Sequence, residues 1–241
     1  MSEYINPWDA LAAHFAPQKI EEMEWDTADN ILLAWPTVLE FLHKEVGDPN
    51  GKHLLDFGCG AGQFANELSQ LGFTVEGMDS SPSMITKARS YYGNRIEFRT
   101  GQAVSIKPGE FDVITSIMTL QFVSDINNTM ACLGRGLKPG GHLVFAVHNP
   151  EFVRDWLRIG YRYADFDSIE LPTKGMLSFG DTQIPIFLRG VDDYNQLAKN
   201  YNLNPRLEKY PPFNREFLDR YHVDGPTEHS EYLILGYQKS D

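Results

Sequence analysis

Three glycines at alternate positions, Gly58, Gly60 and Gly62, follow directly on the apolar run His53-Leu54-Leu55-Asp56-Phe57. With no Cβ in the way, such a turn lets backbone amides and the start of a following helix approach a ligand closely. The dinucleotide-binding pattern G-x-G-x-x-G fails here, because its third glycine is replaced by Gln63, and no Lys-Ser/Thr pair follows to grip a triphosphate. The turn therefore reads as a ligand cradle that does not depend on phosphates. A second group stands 19 residues after Gly60: Asp79, closing the apolar run Thr74–Met78. A carboxylate at the carboxyl edge of a parallel sheet can accept both hydroxyls of a ribose, and beside the glycine turn that role outweighs a plain helix cap.

These groups need strands and helices to hold them. Short apolar runs at His53–Phe57, Thr74–Met78, Ile96–Arg99, Phe111–Ser116 and His142–Val147 read as strands. Helices are expected between most of them. Gln63–Leu71 ends at Gly72, Ser81-Pro82 opens a helix that Tyr91-Tyr92-Gly93 closes, and Ile126–Leu137 precedes Lys138-Pro139-Gly140-Gly141. This alternation predicts an α/β doubly wound sheet with helices on both faces. Upstream, Ile31–Val46 carries a broad apolar stripe. Downstream, Asn149 to Arg189 is rich in aromatics and Arg but poor in periodicity. A helix near Val191–Tyr201, a possible strand at Arg206–Tyr210 and a clear one at Tyr232–Gln238 then complete the chain.

Composition sets outer bounds. The 241 residues carry 21 Lys and Arg against 33 Asp and Glu, a net charge of −12 that repels phosphate backbones and anionic membranes. The two cysteines, Cys59 and Cys132, lack CxxC spacing and support neither a disulfide framework nor a zinc site. No stretch approaches the ~18 continuous apolar residues of a membrane span, and no export signal is read at the N-terminus. A cytoplasmic address is expected, with no metal, no membrane and no nucleic-acid partner.

The ordered motifs resemble the class I S-adenosylmethionine-dependent methyltransferases. Asp56-Phe57-Gly58-Cys59-Gly60-Ala61-Gly62 is similar to that family's first motif, Asp79 to its ribose-binding acid, and Ser81-Pro82-Ser83-Met84 to the helix start beside adenine. Phe111-Asp112-Val113-Ile114 with Leu120-Gln121-Phe122-Val123 resembles the fourth-strand motif, and Leu137-Lys138-Pro139-Gly140-Gly141-His142-Leu143 the turn before strand five. The match covers about residues 50 to 150. It departs where many relatives carry Asp-Ala after strand three, since this chain has Gln102-Ala103, whose amide oxygen can accept the same adenine hydrogen bond. The resemblance implies a Rossmann-like seven-stranded mixed sheet whose last strand is antiparallel. It also implies S-adenosyl-L-methionine as cofactor, held by Asp56, Gly58, Gly60, Asp79, Ser80, Met84, Gln102, Ala103, Ile117 and Met118. One methyltransferase domain is expected over 1–241: a helical cap (1–50), a cofactor core (51–148), a lid or acceptor insertion (149–190), and a C-terminal helix with the last strands (191–241).

Methyl transfer to a carboxylate or phenolate needs no protein base, whereas an alcohol or ammonium must first lose a proton. His148, directly after the His142–Val147 strand, is the candidate base. On the acceptor side the expected residues are His14, in the N-terminal segment that relatives fold over the cofactor, with Asn149, Arg158 and Tyr163 in the insertion. Arg154, Arg158 and Arg162 recur every fourth residue and, if helical, would share one face fit for an anionic acceptor. The expected activity is methylation of a small molecule at O, N or C. An RNA or protein methyltransferase, or a non-catalytic S-adenosylmethionine-binding regulatory protein, are the alternatives left open.

Overall fold

The structure, a computed structural model, describes residues 6–171 and 173–241, apart from the side chain of Asp26. Ten strands run β1 (His53–Phe57), β2 (Thr74–Asp79), β3 (Glu97–Thr100), β4 (Phe111–Ile117), β5 (Leu137–His148), β6 (Tyr163–Ala164), β7 (Lys174–Phe179), β8 (Thr182–Phe187), β9 (Leu203–Lys209) and β10 (Tyr232–Lys239). Seven form one sheet in the order β3-β2-β1-β4-β5-β10-β9, and β6-β7-β8 form a second. In the large sheet β10 is the strand that runs against its neighbours, antiparallel to β5 and to β9. The expected mixed Rossmann-like sheet is present.

Period-two alternation divides the core. Leu54, Val113, Val144 and Ile234 pack on one face with Leu33, Val38, Phe41, Phe64, Leu68 and Ile85 from the helices on that side. Leu55, Ile114, Phe145 and Leu235 pack on the other with Met130, Leu133, Tyr194 and Leu197. The helix start at Pro82 forms as its residues dictate: Ser81 Oγ accepts from Met84 N at 3.1 Å, with Pro82 in the first turn.

Three regions differ from the sequence expectation. The apolar stripe at Ile31–Val46 belongs to a longer helical run through Trp25–Asp29, Asn30–Ala34, Trp35–Phe41 and Leu42–Val46, of which the second and fourth segments are π-wound. Pro36 explains the first widened turn. It has no N–H for the carbonyl of Leu32, and its ring crowds that carbonyl. The insertion after β5 is regular rather than irregular: a helix, Pro150–Ile159, buries Phe152, Val153 and Trp156, and β7 and β8 form a hairpin about Gly180-Asp181, with Gly180 at φ +57°. Finally, β5 begins at Leu137, and the Lys138-Pro139-Gly140-Gly141 turn is an irregularity inside it, where the pairing with β4 shifts register.

Candidate functional site

A cavity of about 670 Å³ opens where β1, β2, β4 and β5 end and β10 begins. Its first half is built by the glycine turn. Gly58, Gly60 and Gly62 all adopt positive φ, at +77°, +53° and +84°. Gly60 is the open one: a Cβ there would meet nothing within 4 Å, whereas at Gly58 it would overlap the side chain of Thr119. Asp79 ties this turn to the next helix. Its Oδ2 accepts from Gly60 N and its Oδ1 from Ser81 N, both at 2.9 Å. Burial raises the Asp79 pKa against the opposing pull of these backbone donors.

Asp56 lies deeper, 2% exposed, with Thr115 Oγ1 donating to its Oδ1 at 2.9 Å. Burial pushes its pKa to about 7. Folding therefore holds a proton that the unfolded chain, ionising near 3.8, has already released, so stability is lost as pH rises between those values. Asp56→Asn, which keeps an acceptor for Thr115, is expected to stabilise the protein more at pH 7.5 than at pH 4.5. Urea unfolding at the two pH values measures the difference.

The N-terminal helix Pro7–Leu11 docks beside this half. Asp9 Oδ1 accepts from Ser81 Oγ at 2.5 Å and from Ser83 N at 3.0 Å, and the Trp8 ring meets Phe122 edge-on at 4.7 Å. All the cofactor positions expected from the sequence line the cavity, from Asp56, Gly58 and Gly60 through Asp79, Ser80 and Met84 to Gln102, Ala103, Ile117 and Met118.

The second half is an aromatic chamber with Trp25, Trp156, Tyr161 and Tyr163 in its wall. Asp29, His148 and Glu231 reach it, 2%, 4% and 8% exposed. Antiparallel pairing brings the last two together. Tyr232 stands opposite His148 across β5 and β10, and Asn149 N donates to Glu231 O at 2.8 Å, which leaves His148 Nε2 3.5 Å from Glu231 Oε1. Burial lowers the His148 pKa to about 4, Asp29 opposing that shift and Arg162 adding to it, so the ring is neutral at physiological pH.

The candidate base His148 borders the cavity, and so does Tyr163 among the acceptor residues expected from the sequence, whereas His14, Asn149 and Arg158 are not in its wall. The His14 ring packs edge-on against Phe15 at 4.8 Å. Asn149 is a helix cap: its Oδ1 accepts from Glu151 N at 3.2 Å and its Nδ2 donates to Ser230 O at 3.0 Å. Asn149→Ala should cost about 1–3 kcal/mol in thermal or urea unfolding, through the lost cap and an unpaired buried carbonyl. The shared arginine face does not form, because the helix ends at Ile159 with Gly160 in the left-handed region and Arg162 falls beyond it at φ +60°. Arg154 pairs with Glu151, and Arg158, half-exposed, pairs with Asp155 and Glu170. Sequence reasoning missed Asp29 and Glu231. Asp29 reads as an ordinary acid ahead of an apolar helix, and Glu231 acquires a neighbour only through the register of an antiparallel pair.

The sequence profile of a methyltransferase domain matches residues 28–221. The chain belongs to the S-adenosylmethionine-dependent methyltransferase family. It is 27% identical over 195 residues to a ubiquinone biosynthesis O-methyltransferase of Brucella ovis, covering 69% of this chain and 78% of that one. To the enzyme of the same name in Thiobacillus denitrificans it is 35% identical over 105 residues, 41% of this chain and 45% of the relative, less than half of that protein's length. Its fold is like that of an S-adenosylmethionine-dependent methyltransferase from Mesorhizobium loti, with a TM-score of 0.68 and 18% identity over 89% of this chain and 100% of the other. The residues of this methyltransferase fit its cofactor. The space left open at Gly60 admits a close approach, and buried carboxyls at Asp56 and Asp79 suit a ligand carrying positive charge. Among the described residues no helix is long and apolar enough to cross a membrane, and no group of three His, Cys, Asp or Glu could hold a metal ion.

Proposed function

We propose that this methyltransferase alkylates a small molecule seated in the aromatic chamber, at an oxygen, nitrogen or carbon nucleophile. The observation that carries the reading is the continuity of one cavity from Gly60 and Asp79 to His148, Trp25 and Trp156. S-adenosylmethionine, when bound, supplies a methyl group on a positively charged sulfur. Asp79 would hold the ribose, Gly58 and Gly60 would give the backbone close approach, and Gln102 and Ala103 would face the adenine. Positioning of the acceptor by the chamber wall can contribute on the order of 7–11 kcal/mol to such a transfer. Segment 149–190 serves as the wall or lid of the acceptor chamber. His148, neutral at physiological pH, takes the proton from an acceptor that must lose one.

The role of Tyr163, against whose ring His148 packs at 5.9 Å, is to shape the floor of the chamber. The net charge of −12 supports a small acceptor over RNA. The test is a mass-spectrometric screen of small-molecule, tRNA and peptide acceptors with the full chain and S-adenosylmethionine. A small molecule gaining the mass of one methylene is the expected result. Transfer to tRNA or peptide alone would contradict it, as would cofactor binding with no product in any class.

A further inference from the structure

The chamber carries polar groups that the fold itself leaves incomplete. His148 lines it and is 4% exposed, yet its Nδ1 has no hydrogen-bond partner. Its Nε2 faces the Glu231 carboxyl, so the neutral ring keeps its proton there and Nδ1 is left as a lone pair. Asn30, also in the wall, has a buried amide oxygen without a partner. Asp29 and Glu231 face one another in the same wall. Burial, and next the neighbouring Glu231 carboxyl, raise Asp29 well above the usual carboxylate range, while Asn30 N donates to its Oδ1 at 2.6 Å. The unpartnered atoms, His148 Nδ1 and Asn30 Oδ1, are therefore hydrogen-bond acceptors, and two buried carboxyl groups stand beside them.

The remainder of the wall is aromatic. Trp25 lies 5.5 Å from Trp156 and 6.4 Å from Tyr161, and Trp156 lies 5.0 Å from Tyr161, ring centre to ring centre. The guanidinium of Arg162 also borders the cavity and packs on Tyr161 and Phe179, at 5.5 and 5.7 Å. Arg154 and Arg158 stand outside it.

We propose that the chamber selects a non-anionic aromatic acceptor bearing an O–H or N–H donor, received by the ring of His148 and the amide oxygen of Asn30, beside the Asp29 and Glu231 carboxyls. This rests on the reading of the chamber as the acceptor site of a small-molecule methyltransferase. A ligand without a donor would leave buried acceptors unpaired, and an anion would meet the charge of the carboxyl pair. The aromatic walls supply flat apolar surface but no means of separating one flat ring from another. That discrimination falls to the polar floor.

Ligand-observed NMR titrations test this, using the full chain saturated with S-adenosylhomocysteine and four matched probes: phenol, aniline, benzoate and anisole. Phenol and aniline should bind roughly tenfold more tightly than anisole or benzoate, as expected for filled against unfilled acceptors. Comparing the first two tells O–H from N–H preference. Asp29→Asn and Glu231→Gln each remove a carboxyl from beside these acceptors, and should bring benzoate to within about twofold of phenol. Asn30→Leu, at a less buried site, removes an unpartnered acceptor and should bring phenol and anisole to within about twofold; it serves if either buried variant fails to fold, as judged by S-adenosylhomocysteine affinity. Benzoate or anisole binding as tightly as phenol would overturn the inference alone, as would a preference that survives in every folded variant. Failure of all four probes to bind the saturated protein would overturn it together with the small-molecule reading beneath it.

Discussion

Gly60→Val is expected to abolish cofactor binding and leave a folded protein. A side chain at this position enters open cavity, since no atom beyond its chain neighbours lies within 4 Å of its Cβ. The backbone at φ +53° adds strain of about 1–2 kcal/mol for a residue with a Cβ, which a domain of this size tolerates. The neighbouring Gly58 gives the contrast. A Cβ there collides with Thr119, which donates from its Oγ1 to Gly58 O at 3.3 Å, so Gly58→Val should lower stability as well as binding. Circular dichroism beside calorimetry separates the two. A Gly60→Val protein that is folded and binds S-adenosylhomocysteine as well as the parent would show that the ligand does not enter over this turn.

His148→Ala is expected to lower turnover at saturating acceptor by roughly 10²–10⁴ and to leave cofactor affinity nearly unchanged. The ring sits at the end of β5, in the chamber half of the cavity, so its removal spares the contacts around Asp79. Because burial holds its pKa near 4, the ring is already neutral at pH 6, and the acid limb of kcat should lie well below the ordinary histidine range. The charged and titratable groups around it are Asp29, Glu231, Tyr163, Tyr232 and Arg162. A loss below tenfold in a folded variant would make His148 a positioning residue and place proton removal with the acceptor itself.

The half of the cavity around the glycine turn was legible because its groups are local. The glycine turn, Asp79 at the end of β2 and Gln102 after β3 are each fixed by a strand end within a few residues, and parallel pairing of β1 with β2 and β4 brings them to one edge. The doubly wound class followed from the same alternation of strand and helix, and the seven-stranded mixed sheet from the family resemblance. The chamber half depends on contacts that no local pattern records. Asp29 enters from the helical run widened ahead of Pro36, and Glu231 arrives from nearly the other end of the chain through antiparallel pairing of β10. The arginine spacing misled because Gly160 ends the helix two residues before Arg162. The insertion looked irregular because its helix spans only Pro150–Ile159 and buries only Phe152, Val153 and Trp156, and because the Gly180-Asp181 hairpin signal joins strands that carry Lys174, Gln183 and Pro185 among their apolar residues.

Whether the glycine turn and Asp79 hold S-adenosylmethionine is decided by calorimetric titration of S-adenosylhomocysteine into the parent chain and Asp79→Ala. Saturable one-to-one binding to the parent is expected, weakened by about 1–3 kcal/mol in the variant through loss of the hydrogen bonds made by a buried carboxylate. No binding to the parent at concentrations on the order of 1 mM, or equal affinity in a folded variant, would contradict that expectation.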